Sequence, residues 1–193
     1  IGASFGMLPF SSTGYEMSAD LVDVEDISHN AIANYYGDGG LSKIYFGGAY
    51  EPFSGFSVGI NASYLFGVLN RRKQLVYDDE SFLNSRSNSK LNLRGYYYEL
   101  GLLYKIAFNK NDEFAIGLTT NNNSTIRAKE TELVESFEFS GFSEFAKDTS
   151  VNSSIWGDVS LPQYISTGMS YNKDKKWLFV VDYSVQNWRN YTM

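Results

Sequence analysis

The sequence predicts an all-β fold, an antiparallel transmembrane β-barrel. Three observations predict it: a two-residue alternation, connections of alternating length, and aromatic residues beside the short turns. The alternation is most regular over residues 56–68, and a β-strand with one apolar and one polar face has this period. The segment suits a tilted membrane strand, which needs about 9–11 residues. Its apolar face carries Phe56, Val58, Ile60, Ala62, Tyr64, Phe66 and Val68.

Similar alternation recurs in about eight segments along the chain. Some are joined by short turns rich in Asn, Asp, Lys, Pro and Gly, and others by long polar stretches. Short turns at one rim and long loops at the other are typical of outer-membrane barrels. The segments lie near residues 1–8, 12–24, 41–50, 56–68, 90–108, 113–120, 165–171 and 177–186, the short turns at 51–55, 109–112 and 172–175, and the long stretches at 25–39, 78–89 and 138–160.

The composition agrees with a barrel and excludes several other classes of protein. Aromatic residues make up 17% of the 193 residues, and they flank all three short turns, as the aromatic girdle of a barrel does. The chain has no Cys, which excludes disulfides, thiolate metal sites and a Cys nucleophile. The net charge of -6 argues against a nucleic-acid partner, because such a partner requires a basic face.

No pattern in the sequence points to catalysis, so we expect no enzyme, no cofactor and no metal site. The single His, His29, lies in a polar stretch, where a lone His is usually solvent-exposed. The candidate site is instead a set of six residues that the alternation places in the lumen. Their charged members would shape a channel or ligand path, or alternatively satisfy one another inside a plugged barrel. The six are Tyr97, Glu99, Leu103, Leu178, Val180 and Asp182.

Three segments carry a resemblance to a known family. Residues 161–171 place a Pro before a strand with a Gly and a Tyr, and residues 177–188 add an aromatic, an Asp and a closing Trp. Both segments resemble the FadL/TodX family of outer-membrane transport proteins, and residues 5–15 look like a segment of its Bacteroidetes-type branch. The resemblance implies a 14-stranded monomeric barrel with an N-terminal hatch. Residues 1–193 would then be part of a single outer-membrane barrel domain, with the hatch and the C-terminal strands outside this chain. The alternative is a complete eight-stranded barrel filled by its own side chains.

The resemblance also implies a function: passive uptake of hydrophobic small molecules, such as long-chain fatty acids, across the bacterial outer membrane. The alternative is a structural or accessory barrel subunit of a multi-protein outer-membrane complex, because a fold does not fix a function. The expected partners are outer-membrane lipid and lipopolysaccharide, a hydrophobic small-molecule ligand, and other outer-membrane proteins. Residues 71–73 would contact lipopolysaccharide or, alternatively, form an ordinary charged strand end. The aromatic-rich stretch 138–160 would gate a pore, line a ligand vestibule or hold a partner, or alternatively fold as a loop over the mouth of its own barrel.

Overall fold

The computed structural model describes residues 1–21, 30–79, 81–109, 111–141 and 143–189, which form one antiparallel sheet. Among these residues there is no helix long and apolar enough to cross a membrane. The strands of the described chain are β1 (Gly2–Leu21), β2 (Ala31–Phe53), β3 (Phe56–Tyr77), β4 (Asn84–Ala107), β5 (Glu113–Asn121), β6 (Thr125–Ser140), β7 (Ser143–Ser160), β8 (Tyr164–Lys173) and β9 (Trp177–Gln186).

The sheet is a meander in which the long strand β4 has two partners on one side. Its C-terminal part pairs with β5 and its N-terminal part pairs with β6. Strands β6 and β7 form a hairpin between β5 and β8, which also pair with each other. β5 with β6, and β7 with β8, therefore behave as two long strands with breaks at residues 122–124 and 161–163. No pairing joins β1 to β9 in the described chain, so the strands form an open, curled half-barrel.

We call the half of the sheet that ends in the short turns at residues 54–55, 108–112 and 174–176 the lower half, and the opposite half the upper half. On the convex face, the lower half is almost wholly apolar, because alternate residues of neighbouring strands stand in register. Val58 lies opposite Leu102, for example, and Leu102 lies opposite Leu118. The exposed large side chains of this apolar band include Phe5, Ile44, Phe46, Ile60, Tyr64, Tyr96, Tyr98, Leu100, Tyr104, Ile116, Met169, Val181 and Tyr183.

The concave face holds the hydrophobic core. Leu65 has no exposed surface, and Ile126 has only 1% of its surface exposed. No second sheet or helix covers this face in the described chain, so the curl of the sheet itself brings side chains of distant strands together. The Phe10 ring on β1, for example, meets the Tyr97 ring on β4 with a centroid separation of 5.4 Å. The buried members of the cluster are Leu41, Leu65, Leu91, Leu93, Tyr97, Ile126, Ala128 and Val159.

The lower rim is built from tight turns that support one another. Gly55 has a φ of 84°, which favours glycine, and it follows Ser54 in the turn between β2 and β3. The Asp112 carboxylate accepts hydrogen bonds from the backbone N–H of Asp174 at 2.8 Å and from the Asn109 amide at 2.7 Å. These two bonds hold the pKa of Asp112 below its usual value, and the first ties the β4–β5 turn to the β8–β9 turn.

The structure confirms the all-β antiparallel prediction and corrects the lengths of its elements. The first two predicted segments are one strand, β1, interrupted by a bulge between Pro9 and Ser11. Strand β2 has 23 residues, about 75 Å at the usual rise, and its first residues occupy a stretch predicted as a loop. The prediction of a loop at 138–160 was also wrong, because the end of β6 and the whole of β7 occupy it. The open sheet differs from the eight-stranded closed alternative, and no observation here supports a count of 14 strands.

These errors have a common physical cause. A strand is visible in sequence when one face is apolar and the other polar. The upper part of β4 and most of β7 carry polar side chains on both faces, and the upper part of β2 mixes Ala, Ile, Tyr and Gly with Asn and Asp, so no alternation of hydrophobicity marks them. Their strand structure depends on pairing with distant segments, which a local pattern does not record.

Candidate functional site

The six residues predicted to face the lumen all stand on the concave face. Leu103 and Asp182 share one row of the sheet across Gly117 and Gly168, and the Asp182 carboxylate lies directly over Gly168. Val180 lies opposite Ser170 in the next row, and Leu178 lies opposite Asn172 closer to the rim. Tyr97 and Glu99 lie farther up, at the core. The register places all six on one side of the sheet, whereas their exposure to a barrel lumen and their contact with a ligand stay predictions.

Glu99 is the centre of a polar cluster on the concave face. One carboxylate oxygen accepts from Lys43 Nζ at 2.9 Å, and the other accepts from the Tyr164 hydroxyl at 3.0 Å. The Lys43 ammonium also lies 5.7 Å from the Tyr97 ring centroid and 6.0 Å from that of Phe10. For Glu99, the structure therefore agrees with the alternative of charged residues satisfying one another across the lumen. No local pattern marks Lys43 and Tyr164 as its partners, because they lie 56 and 65 positions away in the chain.

Below this cluster, the concave face forms a shallow trough of small residues. A cavity of about 430 Å³ is lined largely by Gly47, Gly59, Asn61 and Gly101. A Cβ on Gly47 would stand 2.2 Å from the Asn61 amide oxygen, so that glycine makes room for the neighbouring side chain. The trough offers no cluster of three or more His, Cys, Asp or Glu side chains, and none occurs elsewhere in the described chain. His29 lies outside the described residues.

In the upper half, a second polar cluster holds the tip of the β6–β7 hairpin, and we call it the clasp. The Glu144 carboxylate on β7 accepts from Arg72 Nη2 at 2.8 Å, from Arg86 Nη1 at 2.6 Å and from the Gln74 amide at 3.0 Å. Arg86 also donates to Glu135 at 2.9 Å. Because β7 pairs only with β6 in the described chain, these bonds carry its tip across β4 to β3.

The clasp is supported by packing and by charge. Phe137 is fully buried, and the Arg86 guanidinium lies 5.3 Å from its ring centroid. Burial works to raise the pKa of Glu144, but the Gln74 hydrogen bond and the charges of Arg72 and Arg86 outweigh it, so the pKa lies below its usual value. Of the run 71–73, for which the sequence leaves open lipopolysaccharide contact and an ordinary charged strand end, Arg72 is engaged in the clasp.

The sheet and its surfaces define a class of protein: an antiparallel, curled all-β sheet of the kind found in barrels, with an apolar convex band. A family model named BamG matches residues 1–193, and the chain belongs to this family of accessory subunits of the outer-membrane BAM complex. No curated protein and no solved structure matches the chain.

This family membership corrects the resemblance to FadL/TodX transporters, which was wrong. The features behind that resemblance are those of a generic barrel hairpin: a Gly beneath an Asp, and aromatic residues at the rim. Gly168 and Asp182 stand in register for steric reasons, and Trp177 begins β9 beside a tight turn. Fatty-acid uptake loses its basis with the resemblance, and the alternative, an accessory subunit of an outer-membrane complex, agrees with the family.

Proposed function

We propose that this protein is a non-enzymatic accessory subunit of the BAM complex, embedded in the outer membrane through the lower half of its sheet. The observation that carries the proposal is the BamG family match over the whole chain. The apolar band supports the membrane location, because soluble proteins rarely expose contiguous apolar patches larger than a few hundred Å². The unpaired edges at β1 and β9 support a single larger barrel domain, since an open sheet edge in a bilayer leaves backbone polar groups without partners.

The β6–β7 hairpin is the surface that we expect another subunit of the complex to contact. Strand β7 has an unpaired edge in the described chain, and such an edge is a template for binding another chain. Its exposed apolar side chains include Phe145, Val151 and Ile155, with 52%, 38% and 66% of their surfaces exposed. The clasp holds the tip in one position, which lowers the entropic cost of binding. Holding a partner is one of the alternative roles that the sequence leaves open for the 138–160 stretch.

The test is affinity purification of the full-length protein from gently solubilised outer membranes, with the tag inserted in the exposed turn at residues 174–176. We expect the BAM core subunits, identified by mass spectrometry, in a fixed stoichiometry with the tagged protein. Recovery of the protein alone, or with subunits of an unrelated machine, would refute the proposal.

A pair of variants locates the contact. Phe145→Ser with Ile155→Ser should reduce recovery of the core subunits, because both side chains are exposed on β7. Leu102→Ala on the apolar band is the control, and it should leave recovery unchanged. If both variants recover the core equally well, the hairpin is not the contact surface even though the protein belongs to the complex.

A further inference from the structure

Two arginines face each other directly on the convex face, at the upper border of the apolar band. Arg94 on β4 is the register partner of Arg127 on β6, and both side chains are exposed. Like charges directly opposite each other on one face destabilise a sheet. Neither arginine has a carboxylate within ion-pair distance in the described chain, although Asp158 is the neighbour of Arg127 on β7. In the described chain, this row of the sheet thus holds two opposed guanidinium groups beside one carboxylate, Asp158, with no ion pair formed among them.

Several other cations of the same sheet form ion pairs with carboxylates. Lys43 meets Glu99 on the concave face, and Arg72 and Arg86 meet Glu144 in the clasp. Around the arginine pair, the structure places a third cation and an aromatic ring instead. The Trp156 ring lies 5.6 Å from the Arg94 guanidinium and 5.4 Å from the Lys129 ammonium, and 59% of its surface is exposed. The result is an exposed cluster of three cations with one neighbouring carboxylate, Asp158, and therefore an excess of positive charge.

The arginine pair borders a groove of about 580 Å³ on the convex face. One wall of the groove is aromatic and belongs to the apolar band: Tyr64, Tyr96 and Tyr98. The other wall holds Arg94, Arg127 and the polar break between β5 and β6 at residues 122–124. The groove is therefore apolar on the side of the band and cationic on the side of the upper half. That division matches an amphiphile whose chain lies along the band and whose anionic head lies above it.

We propose that this groove binds a phosphate-bearing lipid headgroup of the outer leaflet, with the phosphate between Arg94 and Arg127. Arginine presents a planar fork of N–H donors that matches phosphate oxygens, and two opposed forks suit one doubly charged group. Lys129 adds a third positive charge, and Trp156 lies at headgroup depth, where indole rings collect. The proposal rests on the membrane location proposed above, because it places the border of the apolar band at the membrane surface.

The test measures lipid binding by the full-length protein in detergent, followed as native mass spectra or lipid-dependent fluorescence. The probes are lipid A, dephosphorylated lipid A and inorganic phosphate. We expect lipid A to bind at least tenfold more tightly than its dephosphorylated form, and Arg94→Gln with Arg127→Gln to abolish that difference. Arg71→Gln with Lys73→Gln, on the concave face of the same sheet, is the matched control and should retain it.

Several outcomes would overturn the proposal. Equal binding of the dephosphorylated lipid would show that the phosphate is not recognised, and equal binding of inorganic phosphate would make this an ion site rather than a lipid site. Cross-links from position 127 to a protein subunit in the native complex would show that a carboxylate-bearing partner covers the groove. The double arginine variant removes a like-charge pair, so we expect it to fold. Heat-modifiable mobility in SDS gels checks that it is folded. The binding assay uses the isolated protein, so its result is independent of co-purification with the complex. Failure of lipid binding and failure of the proposed function can therefore be told apart.

Discussion

The two halves of β4 show how one strand serves two environments. From Tyr96 to Ile106, its convex-face side chains are aromatic or aliphatic, and this half pairs with β5. From Asn84 to Arg94, the convex-face side chains are Asn, Arg and Lys, and this half pairs with β6. The backbone alternation continues without a break through both halves. The period of two therefore determines which face a residue occupies. The composition of the convex face, apolar in one half and polar in the other, determines whether that half suits lipid or water.

The difference also separates two sources of stability. The lower half exposes the apolar side chains of its convex face, which lipid would cover in the membrane location proposed above. The upper half is closed by its own ion pairs, by the clasp and by the concave core at its base. We therefore expect the lower half to be destabilised by charged substitutions on its apolar band. We expect the upper half to be loosened by the loss of its ion pairs.

The largest effect should come from the core between the two halves. Leu65 has no exposed surface, and Leu65→Ala removes buried methyl groups and leaves a cavity. We expect a loss of about 2–5 kcal/mol in the free energy of unfolding, measured by denaturant unfolding in lipid vesicles. Leu69→Ala, only partly buried beside the same cluster, is the matched control and should lose less. Equal losses would show that the concave face is not a packed core.

A charge on the apolar band should destabilise the protein almost as much. Leu102 lies within the band, and Leu102→Arg should cost about 2–4 kcal/mol if lipid covers that position. Ser154→Arg, on the same face but in the upper half and opposite the uncharged Thr131, should change stability by less than about 0.5 kcal/mol. Refolding yield into vesicles provides the measurement. Similar yields for the two variants would contradict the assignment of the lower half to the membrane.

Breaking the clasp should free the hairpin without unfolding the sheet. Glu144→Ala removes the shared acceptor of Arg72 and Arg86, and hydrogen bonds to charged groups contribute about 1.5–3 kcal/mol. We expect faster amide hydrogen exchange in β7 and unchanged exchange in β5. The control is Glu138→Ala, which removes only a half-exposed pair with Lys147 and should have little effect. Uniform acceleration across the whole sheet would mean that the clasp supports the global fold rather than the hairpin.

The smallest effect should be the dependence of the clasp on pH. The pKa of Glu144 lies below its unfolded value of 4.5, so its contribution is present above that value and is lost as the pH falls through the lower folded value. Hydrogen exchange of β7 should therefore accelerate relative to β5 only under acidic conditions, and the Glu144→Ala variant should not show the transition. A transition near neutral pH would indicate a different titrating group.

Sequence reasoning predicted the lower half well and the upper half poorly. The alternation from Phe56 and that around Leu102 both lie in confirmed strands, because one face of each is apolar. β7 has no such contrast, so it was mistaken for a loop. For the site, the face of Glu99 was predictable from alternation, but its bonds to Lys43 and Tyr164 depend on the curl of the sheet. The clasp likewise joins residues about 70 positions apart, which only the folded chain brings together.

In the function proposed here, the upper half contacts another subunit of the complex while the lower half contacts lipid. Photoreactive amino acids placed at Phe145 and at Leu102 in the full-length protein, and activated in intact outer membranes, test this division most directly. We expect Phe145 to cross-link to a BAM subunit identified by mass spectrometry, and Leu102 to give lipid adducts and no protein partner. Protein cross-links from Leu102, together with none from Phe145, would contradict the account.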